Sequence, residues 1–369
     1  MNLDFSEEQK LLQRTVRDCL TDHAPLRRVR EAFDNGEPYD RGTWRAAADL
    51  GWLGVAVPEE FGGSGFGYLE LAVIAEELGR AIAPIPFSSS VYLASEAILR
   101  GGDAEQCRRH LPGLASGERI GTFAFAGAQG SGLSRGTGTR LENGRLRGSE
   151  APVPDGNIAD LAVVAARGED GAPHLVLVEL AGEGVNRKEL PCIDASRPHA
   201  LIEFDGAPAE PLSGTSDPET LVSRLVDGAI VLMAFEQLGG AQACLDMALA
   251  YAKERFAFGR PIGSFQAMKH RMADMYTNLE LARSNCYYGG WALSAGSDEL
   301  PVAACIARIS ATDAYSFCAE ENIHVHGGAG CTWEYDCHLF LRRSKLLAYS
   351  LGAVGHWKQR LIERLAETP

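Results

Sequence analysis

The sequence predicts an α+β chain of three domains: an N-terminal helical domain (1–118), a middle β domain (119–212) and a C-terminal four-helix bundle (213–369). Apolar residues recur at helical spacing toward both ends of the chain. Short β-type runs separated by glycine, proline and Asn-Gly fill the middle. A chain of 369 residues is also too long for one ordinary core, which favours two or three domains.

Apolar residues at helical spacing predict the helices of the N-terminal domain. Ser6 precedes two glutamates, which is typical of a helix start, and apolar residues then recur from Leu11 to Leu20. We expect further helices over 44–53, 68–79 and 91–99, a glycine-rich loop over 56–67 and another loop over 111–118.

Short β-type runs predict the middle domain. The dipeptide Asn143-Gly144, with Leu141 before it and Leu146 after it, indicates a tight hairpin turn. Other β-type runs lie at 120–126, 161–165, 175–180 and 200–204. Strands at this spacing predict a compact β-barrel or sandwich.

Alternating spacings of four and three residues predict the C-terminal bundle. The first such series is Met268, Met272, Met275, Leu279, Ala282 and Cys286, and the next is Val302, Ile306 and Ile309. Sustained spacing of this kind over several helices with short loops favours an antiparallel four-helix bundle. We interpret the methionines as core filling rather than as a functional surface.

The charge balance argues against nucleic acid as a partner. The formal net charge is −14, with 49 acidic residues against 35 basic ones. Binding to phosphate backbones needs clustered Lys and Arg, and the chain has isolated Arg pairs instead.

Cysteine usage and hydropathy favour a cytoplasmic protein. The nine cysteines are scattered and include no C-x-x-C pair, which fits reduced thiols better than a disulfide framework. The N-terminus is acidic and polar, unlike a secretory signal, and the longest apolar run, 229–235, is too short to span a membrane.

Two possible sites of other kinds are not expected. The spacing of His324, His326, Cys331, Cys337 and His338 matches no zinc pattern, so we expect no metal. Two serines in the glycine-rich run, Ser131 and Ser134, lack the G-x-S-x-G context of a hydrolase nucleophile.

The segment Arg255–Gln266, RFAFGRPIGSFQ, is the most specific candidate site. Gly259 and Pro261 break the helical pattern here, and Gln266 lies just inside the next helix. The planar fork of donors on Arg255 matches phosphate oxygens. On local spacing alone, an interhelical turn with a surface arginine remains the alternative.

The chain resembles the acyl-CoA dehydrogenase family over nearly its whole length. RFAFGRPIGSFQ matches the family pattern R-x-x-F-G-x-x-I-x-x-x-Q at every named position. HVHGGAGCTWE (324–334) is similar to the family segment Q-x-x-G-G-x-G, with His324 in the place of Gln. GWLGVAVPEEFGGSGFG followed by EELGR (76–80) looks like the family's N-terminal domain, and the order helical, β, helical is the family layout.

This resemblance implies FAD bound between subunits. By position, Arg255, Phe258 and Gln266 would contact the FAD of a neighbouring subunit. Gly327 and Gly328 would let the backbone approach the FAD diphosphate, because glycine has no Cβ. The usual family assembly is a tetramer packed through the C-terminal bundle.

The family reaction is α,β-dehydrogenation of an acyl thioester, and this sequence lacks the expected base. A carboxylate removes the α-proton while flavin N5 accepts the β-hydride, and family members place the Glu at one of two positions. Here these positions hold Leu351 and Ala229, and neither side chain can take a proton. Asp227 aligns with an aspartate that contacts substrate in some members.

Three flavin-side segments also depart from the family. Ala353 replaces a Thr near the FAD adenosine, AFAGAQGSGLS (124–134) replaces T-E-P-x-x-G-S-D, and Pro152–Pro154 replaces the flavin-flanking W-I-T.

Three functions therefore stay open. The chain is the Glu-lacking subunit of an α2β2 acyl-CoA dehydrogenase, similar to actinobacterial forms that act on CoA thioesters of steroid side chains. Alternatively, it is a self-sufficient dehydrogenase for an acyl-CoA or acyl-carrier-protein thioester, with Asp227, Glu236 or Glu334 as base. The third possibility is a non-catalytic protein that binds thioesters or flavin.

Overall fold

Helices form the N-terminal part of the chain in the computed structural model, which describes residues 5–125 and 138–367. The helices are α1 (Glu7–His23), α2 (Leu26–Asn35), α3 (Arg41–Asp49), α4 (Tyr68–Arg80), a π-helix (Ser88–Ser95), α5 (Glu96–Gly101) and α6 (Ala104–Ala115). Ser6 caps α1 as expected, because its hydroxyl accepts the Gln9 N–H at 3.2 Å.

Several N-terminal boundaries differ from the sequence-based expectation. The helix expected over 44–53 is α3, Arg41–Asp49. The helix expected over 91–99 starts earlier, at Ser88, where the serines are buried and Ser89 donates to Asp155 at 2.5 Å. The loop expected over 111–118 was wrong at its start, since α6 continues through Pro112 to Ala115. A proline near a helix end removes one hydrogen bond and leaves the remaining turn intact.

The described residues in the middle of the chain form one mixed sheet of eight strands. The strands are β1 (Gly121–Ala124), β2 (Arg140–Glu142), β3 (Arg145–Pro154), β4 (Leu161–Arg167), β5 (Pro173–Glu179), β6 (Val185–Leu190), β7 (His199–Pro208) and β8 (Glu210–Pro211). Their order is β6-β7-β3-β2-β4-β5-β8, and β1 pairs in parallel with β4. The Asn143-Gly144 hairpin is confirmed, with φ values of 50° and 71° that match a type I′ turn.

The C-terminal part is helical, as expected. Its elements are α7 (Pro218–Glu254), β9 (Phe256–Ala257), β10 (Arg260–Pro261), α8 (Gln266–Ser294), α9 (Leu300–His326), α10 (Cys337–Tyr349) and α11 (Val354–Glu367). The three long helices α7–α9 pack together, and α10 and α11 both lie against α9.

The buried residues of this helical part follow the predicted series on α8 but not the one on α9. Met272 and Met275 are buried, as are the residues that follow them in the predicted series, so the methionines fill the core. On α9, Ile306 and Ile309 are half-buried, whereas the small residue Ala307 is fully buried. A Cβ at Gly289 of α8 would lie 3.1 Å from the Cβ of Ala307, so close helix approach selects small side chains there.

Contacts group the chain into two units. One comprises the described residues of Met1–Arg30, Ala72–Ala83 and Ile230–Pro369, and the other comprises Glu31–Leu71 and Pro84–Ala229. The domain borders after 118 and 212 stay a prediction. No helix within the described ranges is long and apolar enough to cross a membrane.

Two glycines let α4 cross α7 at very short distance. A Cβ at Gly79 would lie 1.9 Å from the carbonyl oxygen of Glu236, and a Cβ at Gly239 would lie 1.8 Å from that of Glu76. Any side chain would collide with backbone, so the crossing requires glycine on both helices. The glycine of the EELGR segment therefore has a packing role.

Candidate functional site

The Arg255–Gln266 segment folds into a short hairpin between α7 and α8. The Arg255 N–H donates to Tyr251 O at 2.8 Å, which continues the helical pattern of α7. The Arg255 carbonyl accepts from the Ile262 N–H at 2.8 Å, across the base of the hairpin. The backbone of Arg255 is thus fixed on both sides while its side chain remains exposed.

The tip of this hairpin presents an aromatic ring to solvent. Phe258 and Gly259 both have positive φ, 53° and 79°, as a type I′ turn requires. A non-glycine residue in this region carries a conformational cost of about 1 kcal/mol or more. Phe258 meets Phe265 edge-on, with ring centroids 6.2 Å apart, but is still 96% exposed, so the tip presents a large apolar surface to solvent.

Arg260 and Ser264, which follow the tip, connect the hairpin to the segment that enters α8. The Arg260 guanidinium lies 4.0 Å from the ring centroid of Phe265. Ser264 donates to Pro261 O at 2.7 Å. Gln266, the first residue of α8, follows and is exposed. The structure therefore engages Arg260 in a cation–π contact and presents the side chains of Arg255, Phe258 and Gln266.

The second predicted motif forms the end of α9. Gly327 ends this helix with φ 61° and ψ −143°, a conformation available essentially to glycine alone. The φ of Gly328 lies outside the left-handed region, and a Cβ there would meet nothing within 4 Å. Gly328 is therefore not required by the fold itself, and its missing Cβ leaves the backbone open to a group from outside.

Stacked aromatic rings join the two motifs. His326, directly before Gly327, stacks on Tyr251 with ring centroids 4.0 Å apart. Tyr335 packs edge-on against both rings. His326 Nδ1 lies 2.8 Å from Asn322 O, and burial lowers the pKa of His326, which favours the neutral ring. This histidine is a structural residue of the site, and sequence reasoning had considered it for metal binding alone.

The two expected base positions lie on different elements. Leu351 occupies the turn after α10 with φ 56°, followed by Gly352 with φ 106°. Ala229 is buried on α7. Asp227, also buried, is two residues away from it, and side chains at that spacing point to different sides of a helix.

A buried arginine that sequence reasoning missed fixes the turn at Leu351. Arg308 on α9 donates to Ser350 O at 2.6 Å and also to Leu347 O, which caps the carboxyl end of α10. It also donates to Gln237 at 3.1 Å, and burial lowers its pKa to about 10. The single charge in an alanine-rich helical stretch is the signal that identifies it in the sequence.

The flavin-flanking segments are only partly described. Most of 124–134 lies outside the described residues. Pro152 falls at an irregularity of β3, between Glu150 and Val153, where the pairing with β7 shifts register. Prolines tolerate such positions because they donate no ladder hydrogen bond. Pro152 and Pro154 supply neither an indole ring nor a hydroxyl to a ligand.

Metal binding has no support within the described residues. Across 5–125 and 138–367, no three or more His, Cys, Asp and Glu residues are grouped as metal ligands. His338 instead stacks on Trp333 at 4.5 Å, and Cys337 is buried.

Family profiles match both helical parts of the chain. The profile "Acyl-CoA dehydrogenase, N-terminal domain" matches residues 6–118, and "Acyl-CoA dehydrogenase, C-terminal domain" matches residues 222–364. The second profile includes both motifs described above.

Whole-length relatives give the same assignment. The chain is 34% identical over 358 residues to acyl-CoA dehydrogenase IpdE2 of Mycolicibacterium smegmatis, covering 97% of this chain and 98% of that protein. It is 34% identical to a chain of a solved variant of the Tcur3481-Tcur3483 steroid ACAD, with TM-score 0.88 and 98% coverage of both chains. It is 29% identical to a chain of the ChsE4-ChsE5 complex from Mycobacterium tuberculosis, with TM-score 0.89 and 100% coverage of both. The chain therefore belongs to the acyl-CoA dehydrogenase family, whose members are FAD-binding oxidoreductases that act on CH–CH donors.

Proposed function

We propose that this chain is the Glu-lacking subunit of a hetero-oligomeric acyl-CoA dehydrogenase, an α2β2 tetramer with a homologous Glu-bearing subunit. One contrast carries the proposal. The outward-facing motif is complete, with Arg255, Phe258 and Gln266 exposed, whereas Leu351 and Ala229 occupy the expected base positions. A subunit of this kind lends contacts to a cofactor without removing the substrate proton.

The residues of the two motifs fit FAD. The Arg255 guanidinium is exposed and suits a phosphate, and Phe258 offers an apolar ring at the hairpin tip. The backbone at Gly327 and Gly328 is open enough for a diphosphate to approach. We assign these residues, with Gln266 and His324, to FAD contact.

The proton chemistry then requires a carboxylate from another chain. The α-proton of a thioester is weakly acidic, so a base must be positioned at the α-carbon. Leucine and alanine cannot accept it. When bound, FAD supplies the hydride acceptor for the β-carbon. This chain contributes binding and orientation through its backbone and side chains, and Asp227 is the residue we assign to substrate contact.

The names of two relatives support the assembly and the substrate class. Each of the two solved relatives named above carries the names of two chains, and one is called a steroid ACAD. We therefore propose a bulky acyl-CoA, such as a steroid side-chain thioester, as the substrate. All nine cysteines are thiols, which fits a reducing compartment, and we propose the cytoplasm.

Co-expression tests the assembly. We expect the full chain alone to purify with little FAD, and to gain FAD and dye-linked activity when co-expressed with a Glu-bearing homologue from the same genome. A steroid side-chain CoA thioester should be oxidised faster than butyryl-CoA. If the chain alone holds FAD in every subunit and reduces a dye with an acyl-CoA, it is a self-sufficient dehydrogenase and the proposal is wrong.

A further inference from the structure

Three polar side chains form a line across α8 and α9 at the second motif. Arg271 Nη1 donates to Glu321 Oε2, and His324 Nδ1 lies 3.1 Å from Glu321 Oε1. Glu321 therefore divides its two oxygens between a guanidinium on one helix and an imidazole on the other. The sequence offers no signal for this line, because Arg271 and Glu321 are far apart in the chain.

Burial differs strongly along this line. The Glu321 side chain is 11% exposed, whereas the His324 side chain is 61% exposed. Burial alone would raise the pKa of Glu321, but hydrogen bonds from Arg271 and His324 outweigh it and lower that pKa. Glu321 is therefore a fixed anion at the base of an exposed imidazole.

The carboxylate fixes the orientation and tautomer of the ring. A carboxylate can only accept, so the hydrogen on His324 Nδ1 faces Glu321. No partner of Nε2 is recorded among residues 5–125 and 138–367, which leaves Nε2 for a group from outside. In the neutral ring Nε2 accepts a hydrogen bond, and in the protonated ring it donates one.

We infer that Arg271 and Glu321 are positioning residues that orient the His324 ring so that its Nε2 faces the bound FAD. The inference rests on the FAD contact proposed above and extends it to two residues outside both motifs. His324 lies in the last turn of α9, three residues before Gly327, where we place the FAD. The FAD supplies the hydrogen-bond partner for Nε2.

A second ion pair lies beside this line of side chains. The charged groups recorded at His324 are Glu321 on its own helix and Arg271 on α8. Lys345 of α10 is engaged with Glu320, the residue before Glu321, at 2.6 Å.

This neighbouring ion pair gives a matched control. Glu320 and Glu321 are adjacent on α9, and each pairs with a cation on another helix. Glu320→Gln removes an ion pair of the same kind without touching His324. His324→Gln places the family residue at this position, keeping a side chain that can form hydrogen bonds but removing the imidazole ring.

The experiment measures FAD dissociation constants for the full chain co-purified with a Glu-bearing homologue. We expect Glu320→Gln to bind FAD as tightly as the wild type. Glu321→Gln should weaken binding about tenfold, the scale of a hydrogen bond to a charged group. It should add no cost in the His324→Gln background. Arg271→Lys should retain most of the affinity, since Lys keeps the ion pair.

Two results would overturn the inference, and they are distinguishable. If Glu321→Gln weakens FAD binding equally with His324 and with Gln at that position, its role is structural packing and the FAD contact itself stands. If the wild-type assembly binds no FAD, the proposed function fails and the inference fails with it.

Discussion

Tyr251 and His326 stack with ring centroids 4.0 Å apart, and this contact joins the two motifs of the site. Tyr251 lies one helical turn before Arg255, and its carbonyl accepts the Arg255 N–H. His326 directly precedes Gly327. This stack, with Tyr335 edge-on to both rings, therefore links the hairpin and the glycine turn, although they are far apart in the sequence.

Removing the ring of Tyr251 should separate the motifs. Tyr251→Ala deletes the stack on His326 and the edge contact with Tyr335, so we expect a loss of about 3 kcal/mol in the free energy of unfolding. FAD retention by the co-purified assembly should fall with it. Tyr251→Phe keeps the ring and should retain FAD. Wild-type flavin content in Tyr251→Ala would show that the stack does not position the site.

The buried His326 should contribute to acid sensitivity. Burial holds its pKa below the ordinary value, so the native state favours the neutral ring, and stability is lost as the pH falls through about 6.5. His326→Phe keeps an aromatic ring without the titration. Urea unfolding at pH 7.5 and 5.5 should show a smaller loss of stability for the variant than for the wild type. An equal or larger loss in the variant would contradict this assignment.

Gly328 should matter to the ligand and not to the fold. An added Cβ meets nothing within 4 Å, so Gly328→Ala should change the free energy of unfolding by less than about 0.5 kcal/mol. The methyl group would stand where we place the diphosphate, so FAD binding should weaken. Gly330→Ala is the opposite control, because its Cβ would lie 2.8 Å from Ile323 O and should destabilise the chain. If Gly328→Ala keeps full FAD affinity, the diphosphate does not bind against this backbone.

The helix crossing at Gly79 should tolerate no side chain. The Cβ of Gly79→Ala would lie 1.9 Å from Glu236 O, which forces α4 and α7 apart. We expect a loss above about 3 kcal/mol or a failure to fold. Gly355→Ala, with nothing within 4 Å, should instead raise stability by about 0.4–1 kcal/mol. Thermal unfolding measures the stability of both variants. If Gly79→Ala is as stable as Gly355→Ala, the two helices can move to accept a side chain and the prediction is wrong.

Local patterns in the sequence predict much of this fold. The Ser6 cap, the Asn143-Gly144 turn and the Met272–Met275 core face all appear where spacing and turn chemistry place them. Each depends on residues close together in the chain. The segment at Ser88 is one place where local patterns fail, because Ser89 has its partner Asp155 far away in the sequence.

The sequence predicts the two motifs of the candidate site but not the tertiary contacts that support them. Family patterns identify Arg255, Phe258 and Gln266, and the structure then presents all three to solvent. Arg308 stands out as a lone charge in an alanine-rich stretch, but neither its hydrogen-bond partners nor the stacking partner of His326 lies close in the sequence. Their contacts run between α7, α9 and α10, and tertiary contacts of this kind leave no periodicity in the sequence.

The FAD content of an assembly carrying Arg255→Ala in this chain alone is the most direct test of its role as a lending subunit. We expect FAD affinity of the co-purified complex to fall about 10- to 100-fold, because a charge-assisted phosphate contact is lost, while the two chains still associate. Arg255→Lys should be intermediate, since Lys cannot reproduce the fork of donors. Unchanged FAD affinity in the Arg255→Ala assembly would contradict the claim that this chain holds a cofactor for its partner.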